Sequence, residues 1–134
     1  MKKIIIFIYI TIVLLNLSAC NYDPYSGRRP YDYGDARWSC DLIDAYFTVD
    51  LSKEDYYYPE GEMKINNTIY KFKLYFVHQT NQIFLSVFEN KSNLKIGELC
   101  GECSFSEKTL TIEVDSKRDT IFDGRYPTII FIRT

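Results

Sequence analysis

The stretch TIYKFKLYFVH, residues 68–78, decides the fold: Tyr70, Phe72, Leu74 and Phe76 fall on every second position, with Lys71 and Lys73 between them. Successive Cβ atoms leave a strand on opposite faces, so this pattern buries four bulky side chains on one side and turns the charges to the other. The same period recurs on both sides of it. Ala45, Phe47 and Val49 alternate with Tyr46, Thr48 and Asp50; Met63 and Ile65 alternate with Glu62 and Lys64; Leu110, Ile112 and Val114 alternate with Thr109, Thr111 and Glu113. Runs at 83–88, 94–105 and 128–132 complete a set of about seven strands.

The joints Asn66-Asn67, 79–81, 90–93 and 106–108 are short and polar. Short joints connect antiparallel neighbours, because a parallel crossover needs about a dozen residues or more. No segment sustains a 3.6-residue repeat free of a competing strand reading, so helix is expected to be minor. The expected fold is therefore all-β: an antiparallel meander of about seven strands, curled into a small barrel or a two-layer sandwich that removes the exposed edges. A barrel closed by its first and last strands is preferred. It is lipocalin-like in topology only, and no function transfers with that topology. Trp38, Phe47, Tyr70, Phe72, Leu74, Phe76, Leu85, Val87, Phe105, Leu110, Ile112, Val114 and Phe131 lie on the apolar phase of their strands and are the expected core.

A chain of 134 residues holds one ordinary domain. It carries 16 Lys and Arg against 18 Asp and Glu, with 46% apolar and 16% aromatic residues, which excludes both an acidic disordered tail and a basic nucleic-acid-binding domain.

The first twenty residues carry an address. Lys2 and Lys3 precede an almost unbroken apolar run from position 4 to 15, followed by Leu17-Ser18-Ala19-Cys20. This is the order of a secretory signal, too short and wrongly flanked for a membrane span. Its end resembles the lipobox of bacterial lipoproteins, which implies diacylglyceryl attachment and acylation at Cys20 and cleavage before it. The implied organisation is a signal peptide over 1–19, lipidated Cys20 with a tether over 20–37, and a β-domain over 38–134, held at the extracytoplasmic face of the cell membrane. Without residues 1–19 the chain has a formal charge of −4 over 115 residues, so attachment is expected from the acyl chains and not from basic side chains. The segment NYDPYSGRRPYDYGDAR, residues 21–37, has two prolines and two glycines and no apolar period. It reads as a linker able to span roughly 60 Å when extended. Gly101-Glu102-Cys103-Ser104-Phe105-Ser106, the strand at 110–114 and the Trp38 start together resemble a group of small β-rich bacterial lipoproteins, which speaks to fold and location and not to activity.

The residues with chemical potential are few. Cys100 and Cys103 form a C-x-x-C, which in thiol oxidoreductases sits at a helix N-terminus; here it falls in a strand, where positions three apart face opposite ways. A redox enzyme using this pair is thus the third functional reading. Two outcomes stand for the thiols: one disulfide from Cys40 to Cys100 or Cys103, or all three reduced and packed as small apolar side chains. No metal site is expected, since the single histidine, His78, and scattered cysteines do not make a four-ligand set. Glu98 and Glu102, four residues apart in a strand, stand about 13 Å from each other, too far for either glycosidase geometry. No nucleophile turn and no phosphate loop is present. The chain is therefore expected to be no enzyme and to need no cofactor.

What remains is aromatic surface. Tyr56, Tyr57 and Tyr58 stand consecutively in the loop between the first two periodic segments, and consecutive residues cannot all be buried in one regular element. Tyrosine gives contact area at low entropic cost together with a hydroxyl, which suits an extracellular protein or glycan partner. The expected function is a lipid-anchored, surface-exposed binding or interaction module. The alternative is a barrel that holds a small apolar ligand.

Overall fold

The computed structural model describes residues 35–50, 52, 58–77 and 79–134. They form eight strands: β1 (Ala36–Cys40), β2 (Ala45–Val49), β3 (Glu60–Ile65), β4 (Thr68–Val77), β5 (Gln82–Glu89), β6 (Lys95–Phe105), β7 (Thr109–Val114) and β8 (Thr128–Arg133). Each pairs antiparallel with the next, and β8 pairs with β1 to close the barrel. Asp41–Ile43 make a single 3-10 turn, and there is no α-helix among the described residues.

The meander and its closure by the terminal strands agree with the sequence. The about seven strands of the sequence reading become eight. The closing strand is β1, which begins at Ala36 and takes in two residues that the sequence assigns to the tether. Its inward side chains are Ala36, Trp38 and Cys40, and Trp38 lies opposite Phe47 of β2. A five-residue strand broken by a 3-10 turn is too short to display a period of its own, so its partner reveals it.

An eight-stranded barrel is only just wide enough for side chains to fill it, and here rings fill it. Phe47 stacks parallel to Trp38 at 6.1 Å and meets Phe131 edge-on at 5.2 Å and Phe72 at 6.2 Å. All four rings are fully buried. They come from β1, β2, β4 and β8, and Phe72 of β4 meets Phe131 of β8, four strands round the barrel, at 6.4 Å across the axis. Met63, Leu74, Ile83, Leu85, Leu99, Leu110, Ile112 and Ile129 complete the interior. Of the core read from sequence, only Tyr70, Phe105 and Val114 are partly exposed. Gly61 is required beneath this layer: a Cβ there would lie 2.2 Å from the Tyr46 carbonyl oxygen and 2.5 Å from Cζ of Phe72, which faces it across the β3–β4 pair. The ring covers the gap that the glycine leaves.

Strand alternation sorts the connections between two ends. The terminal end holds the start of β1, the finish of β8 and the β2–β3, β4–β5 and β6–β7 connections. The distal end holds the β1–β2, β3–β4, β5–β6 and β7–β8 connections.

The register of β4 makes a sharp test. Phe72 is fully buried against two other rings, whereas Lys73 points outward in an exposed ion pair with Glu60 at 2.8 Å. Phe72→Ala should destabilise the domain by about 3–5 kcal/mol, and Lys73→Ala by under about 1 kcal/mol. Urea denaturation of both variants checks this, and coincident midpoints would reverse the inside and outside of the strand.

Candidate functional site

Two surfaces and one motif have to be weighed. The motif is Cys-Gly-Glu-Cys at 100–103. Cys100 lies opposite Phe84, on the outer face, while Cys103 lies opposite the buried Ile112, on the inner face. The two thiols are therefore separated by the barrel wall, and no helix N-terminus stands near either among the described residues. Cys40 also faces inward, but at the distal end beside the 3-10 turn, whereas Cys103 sits toward the terminal end, where its N–H donates to the Asn81 carbonyl oxygen at 2.7 Å. This placement brings none of the cysteine pairs together, and all three thiols are free in the structure. The Cys40–Cys100 and Cys40–Cys103 disulfides considered from sequence are not formed: one pair lies on opposite faces and the other at opposite ends. Burial pushes all three thiols up from their ordinary value, Cys103 to about 11. A thiol held neutral is a poor nucleophile.

Glu98 is held as a carboxylate by its neighbours. Its carboxylate accepts from Lys95 Nζ at 2.6 Å and Ser86 Oγ at 2.9 Å, and the Lys95 bond holds its pKa below the usual range. Among the described residues no group of three or more His, Cys, Asp or Glu side chains is placed to hold a metal. Cys20 and His78 lie outside the described residues, as do Tyr56 and Tyr57.

Of the three consecutive tyrosines only Tyr58 is described, and it is 43% exposed. Its ring stacks on Tyr75 with centroids 5.4 Å apart and planes within 8°. Tyr75 projects from the outer face of β4, is 45% exposed, and lies directly opposite Phe84 of β5, ring to ring at 6.2 Å. The Arg118 guanidinium stands over Phe84 at 5.7 Å. The result is a continuous outer stripe of three rings ending in a cation, near the terminal end. Sequence reasoning found Tyr58 and missed Tyr75, Phe84 and Arg118, which join it only through the β4–β5 register and the fold of the β7–β8 loop. The signal available was Tyr75 itself, an aromatic residue on the polar phase of the most clearly patterned strand.

A second outward tyrosine behaves differently. Tyr46 donates its hydroxyl to Glu62 at 2.6 Å and carries the Arg37 guanidinium over its ring at 4.0 Å, so its polar and π surfaces are both used within the chain. Tyr58 and Tyr75 stack ring on ring and make no hydroxyl hydrogen bond among the described residues.

The distal end is organised by the loop over 115–127. Asp119 is its anchor: the buried carboxylate accepts from the backbone N–H of Ile121 and Phe122 at 2.9 Å each and of Gly124 at 3.0 Å. Thr120 ties the loop to the free edge of β6, donating its N–H to the Glu98 carbonyl oxygen and receiving the Glu98 N–H. Ile121, Phe122 and Tyr126 then pack against the core from that end. Comparison of the chain with protein-family models, with curated proteins and with solved structures returns no match.

The thiols give a pH test. With the folded pKa of Cys103 near 11 and its ordinary value 9.0, the folded state keeps a proton that the unfolded state loses between those limits. Its contribution is present below pH 9 and is lost as pH rises toward about 11. Cys103→Ala should flatten part of the fall in stability across that window, as read by denaturation at fixed temperature. An unchanged slope would show that this thiol is not desolvated.

Proposed function

We propose that the protein is a lipid-anchored, extracytoplasmic interaction module whose contact surface is the outer aromatic stripe of Tyr58, Tyr75 and Phe84. The observation that carries this reading is the stacking of Tyr58 on Tyr75 in the open, with neither hydroxyl hydrogen-bonded among the described residues. Aromatic side chains of that size are mostly buried or paired; a solvent-facing row of them marks a place where another molecule gains by covering it. Flat rings with hydroxyls at their edges suit an extracellular protein or a glycan, and Arg118 at the end of the row adds a site for an acidic group.

Attachment is ascribed to acylated Cys20 through the residues that precede β1. Such a tether enters at the terminal end, the end nearer the stripe, so the stripe would meet partners close to the envelope surface. The alternative, a small apolar ligand inside the barrel, has to contend with the rings of Trp38, Phe47, Phe72 and Phe131 lying where that ligand would sit.

Two measurements test the reading. Tyr58→Ala combined with Tyr75→Ala should leave the melting temperature close to that of the parent while reducing capture of extracellular partners at least about tenfold, because central aromatic contacts dominate interfaces. Identical partner profiles would end the claim for the stripe. Separately, Cys20→Ala should abolish metabolic labelling with a lipid precursor and leave an unprocessed or differently processed precursor, since the acyl chain is the strong membrane signal of the mature chain. Retained labelling would place the anchor elsewhere.

A further inference from the structure

Three turns meet at the distal end around an open cleft of about 370 Å³. The β1–β2 turn contributes Ile43, the β3–β4 hairpin Ile65, and the β7–β8 loop Ile121, Phe122 and Tyr126. These side chains are buried or half-buried, and with the exposed Leu42 they supply the apolar part of its lining. Four exposed charged residues also line it: Lys64 and Arg125, Asp44 and Asp123. None of the four makes an ion pair or a side-chain hydrogen bond among the described residues, although Lys73 and Lys95 elsewhere on the barrel do.

The walls are fixed before any ligand arrives. Asp119 pins the loop wall through three N–H groups, and Phe122 and Tyr126 brace it edge-to-face at 5.0 Å. The Lys64 N–H donates to the Asp44 carbonyl oxygen at 3.0 Å, which locks the first turn to the second. A preformed cleft of this size lies in the range that small molecules occupy, about 300–1,000 Å³, and one with an apolar base and few charged groups selects by charge pattern.

We propose that this cleft binds a small zwitterion with apolar side chains, a short free peptide. A ligand of one charge sign would meet like-signed groups on the cleft as well as opposite ones. A neutral apolar ligand would gain the base and leave all four charges without partners. A free dipeptide offers a carboxylate for Lys64 and Arg125, an ammonium for Asp44 and Asp123, and apolar side chains for Leu42, Ile65 and Phe122. The cleft lies at the end of the barrel opposite the start of β1, so an N-terminally tethered chain presents it outward. This inference does not depend on the aromatic stripe.

The test titrates leucyl-phenylalanine into the whole chain held in phosphatidylcholine nanodiscs, followed by saturation-transfer NMR with empty nanodiscs as blank. Its N-acetylated and its C-amidated forms, each lacking one charge, are run alongside. The free dipeptide should bind at least about tenfold tighter than either blocked form, the loss expected for one charge-assisted contact. Lys64→Gln with Arg125→Gln should erase the preference over the amide. Asp44→Asn with Asp123→Asn should erase the preference over the acetylated form; asparagine accepts the left-handed backbone that both positions adopt, at φ 46° and 52°, so these variants keep their turns. Tyr58→Ala with Tyr75→Ala should change nothing here, which separates a failure of the cleft from a failure of the stripe. Equal binding of the three ligands, absence of transfer to the free dipeptide, or binding indifferent to both charge variants would overturn the proposal.

Discussion

Closure of the barrel depends on rings that meet across its axis. The β1–β8 seam has two aligned residue pairs, Trp38 with Arg133 and Ser39 with Ile132, extended by the Thr134 N–H to the Arg37 carbonyl oxygen at 2.8 Å. By contrast β4 and β5 are aligned over eight pairs. So short a ladder is a weak clasp by itself. Phe131 strengthens it from inside, for this ring of the closing strand packs on Phe47 at 5.2 Å and on Phe72 at 6.4 Å, joining β8 to β2 and β4 through the core. Burial of such rings is worth more than a pair of backbone bonds exchanged with water. The side chains inside thus decide that the sheet closes, and the seam follows.

Closure then sets which surfaces stay open. With the axis occupied by rings, the outer wall and the two ends face solvent. The wall carries the Tyr58–Tyr75–Phe84 stripe because β4 and β5 face each other in a register that brings Tyr75 onto Phe84. The distal end carries a cleft because the longest described connection, over 115–127, folds back onto β6 and the core instead of leaving for solvent. Gly97 permits that return: a Cβ there would come within 3.1 Å of Ile121 and 3.2 Å of the Thr120 carbonyl oxygen. One residue without a side chain on β6 and one buried carboxylate, Asp119, therefore shape an end that would otherwise be an open barrel mouth.

The sequence was most legible where alternation is strongest. β4 reads without ambiguity because lysines separate its aromatic residues, and most of the core followed from the same phase. β1 was illegible because it is five residues long and abuts a proline- and glycine-bearing segment on one side and a 3-10 turn on the other. Leu99 was hidden for another reason: it stands in Gly97-Glu98-Leu99-Cys100-Gly101, where two inward glycines interrupt the apolar phase that would have marked it. Asp119 belongs to no periodic pattern at all, and its role appears only when three backbone N–H groups converge on it. The stripe and the cleft are each assembled from distant segments, so single residues such as Tyr58 could be suspected while their partners could not.

The C-x-x-C shows why spacing has to be read against local geometry. On a helix, positions three apart are neighbours, and the dipole at the N-terminus favours a thiolate. On β6 the same spacing sends Cys100 outward beneath Asp115, whose N–H reaches the Cys100 carbonyl oxygen at 2.9 Å, and sends Cys103 into the wall opposite Ile112. Desolvation then raises both thiols, the reverse of the activation that the motif has in oxidoreductases. Gly101 between them serves the sheet: a Cβ at that position would stand 2.2 Å from the Glu113 carbonyl oxygen, so the glycine is what allows β6 and β7 to approach. Strand geometry thus accounts for the separation of the two thiols, and close strand approach for the glycine between them.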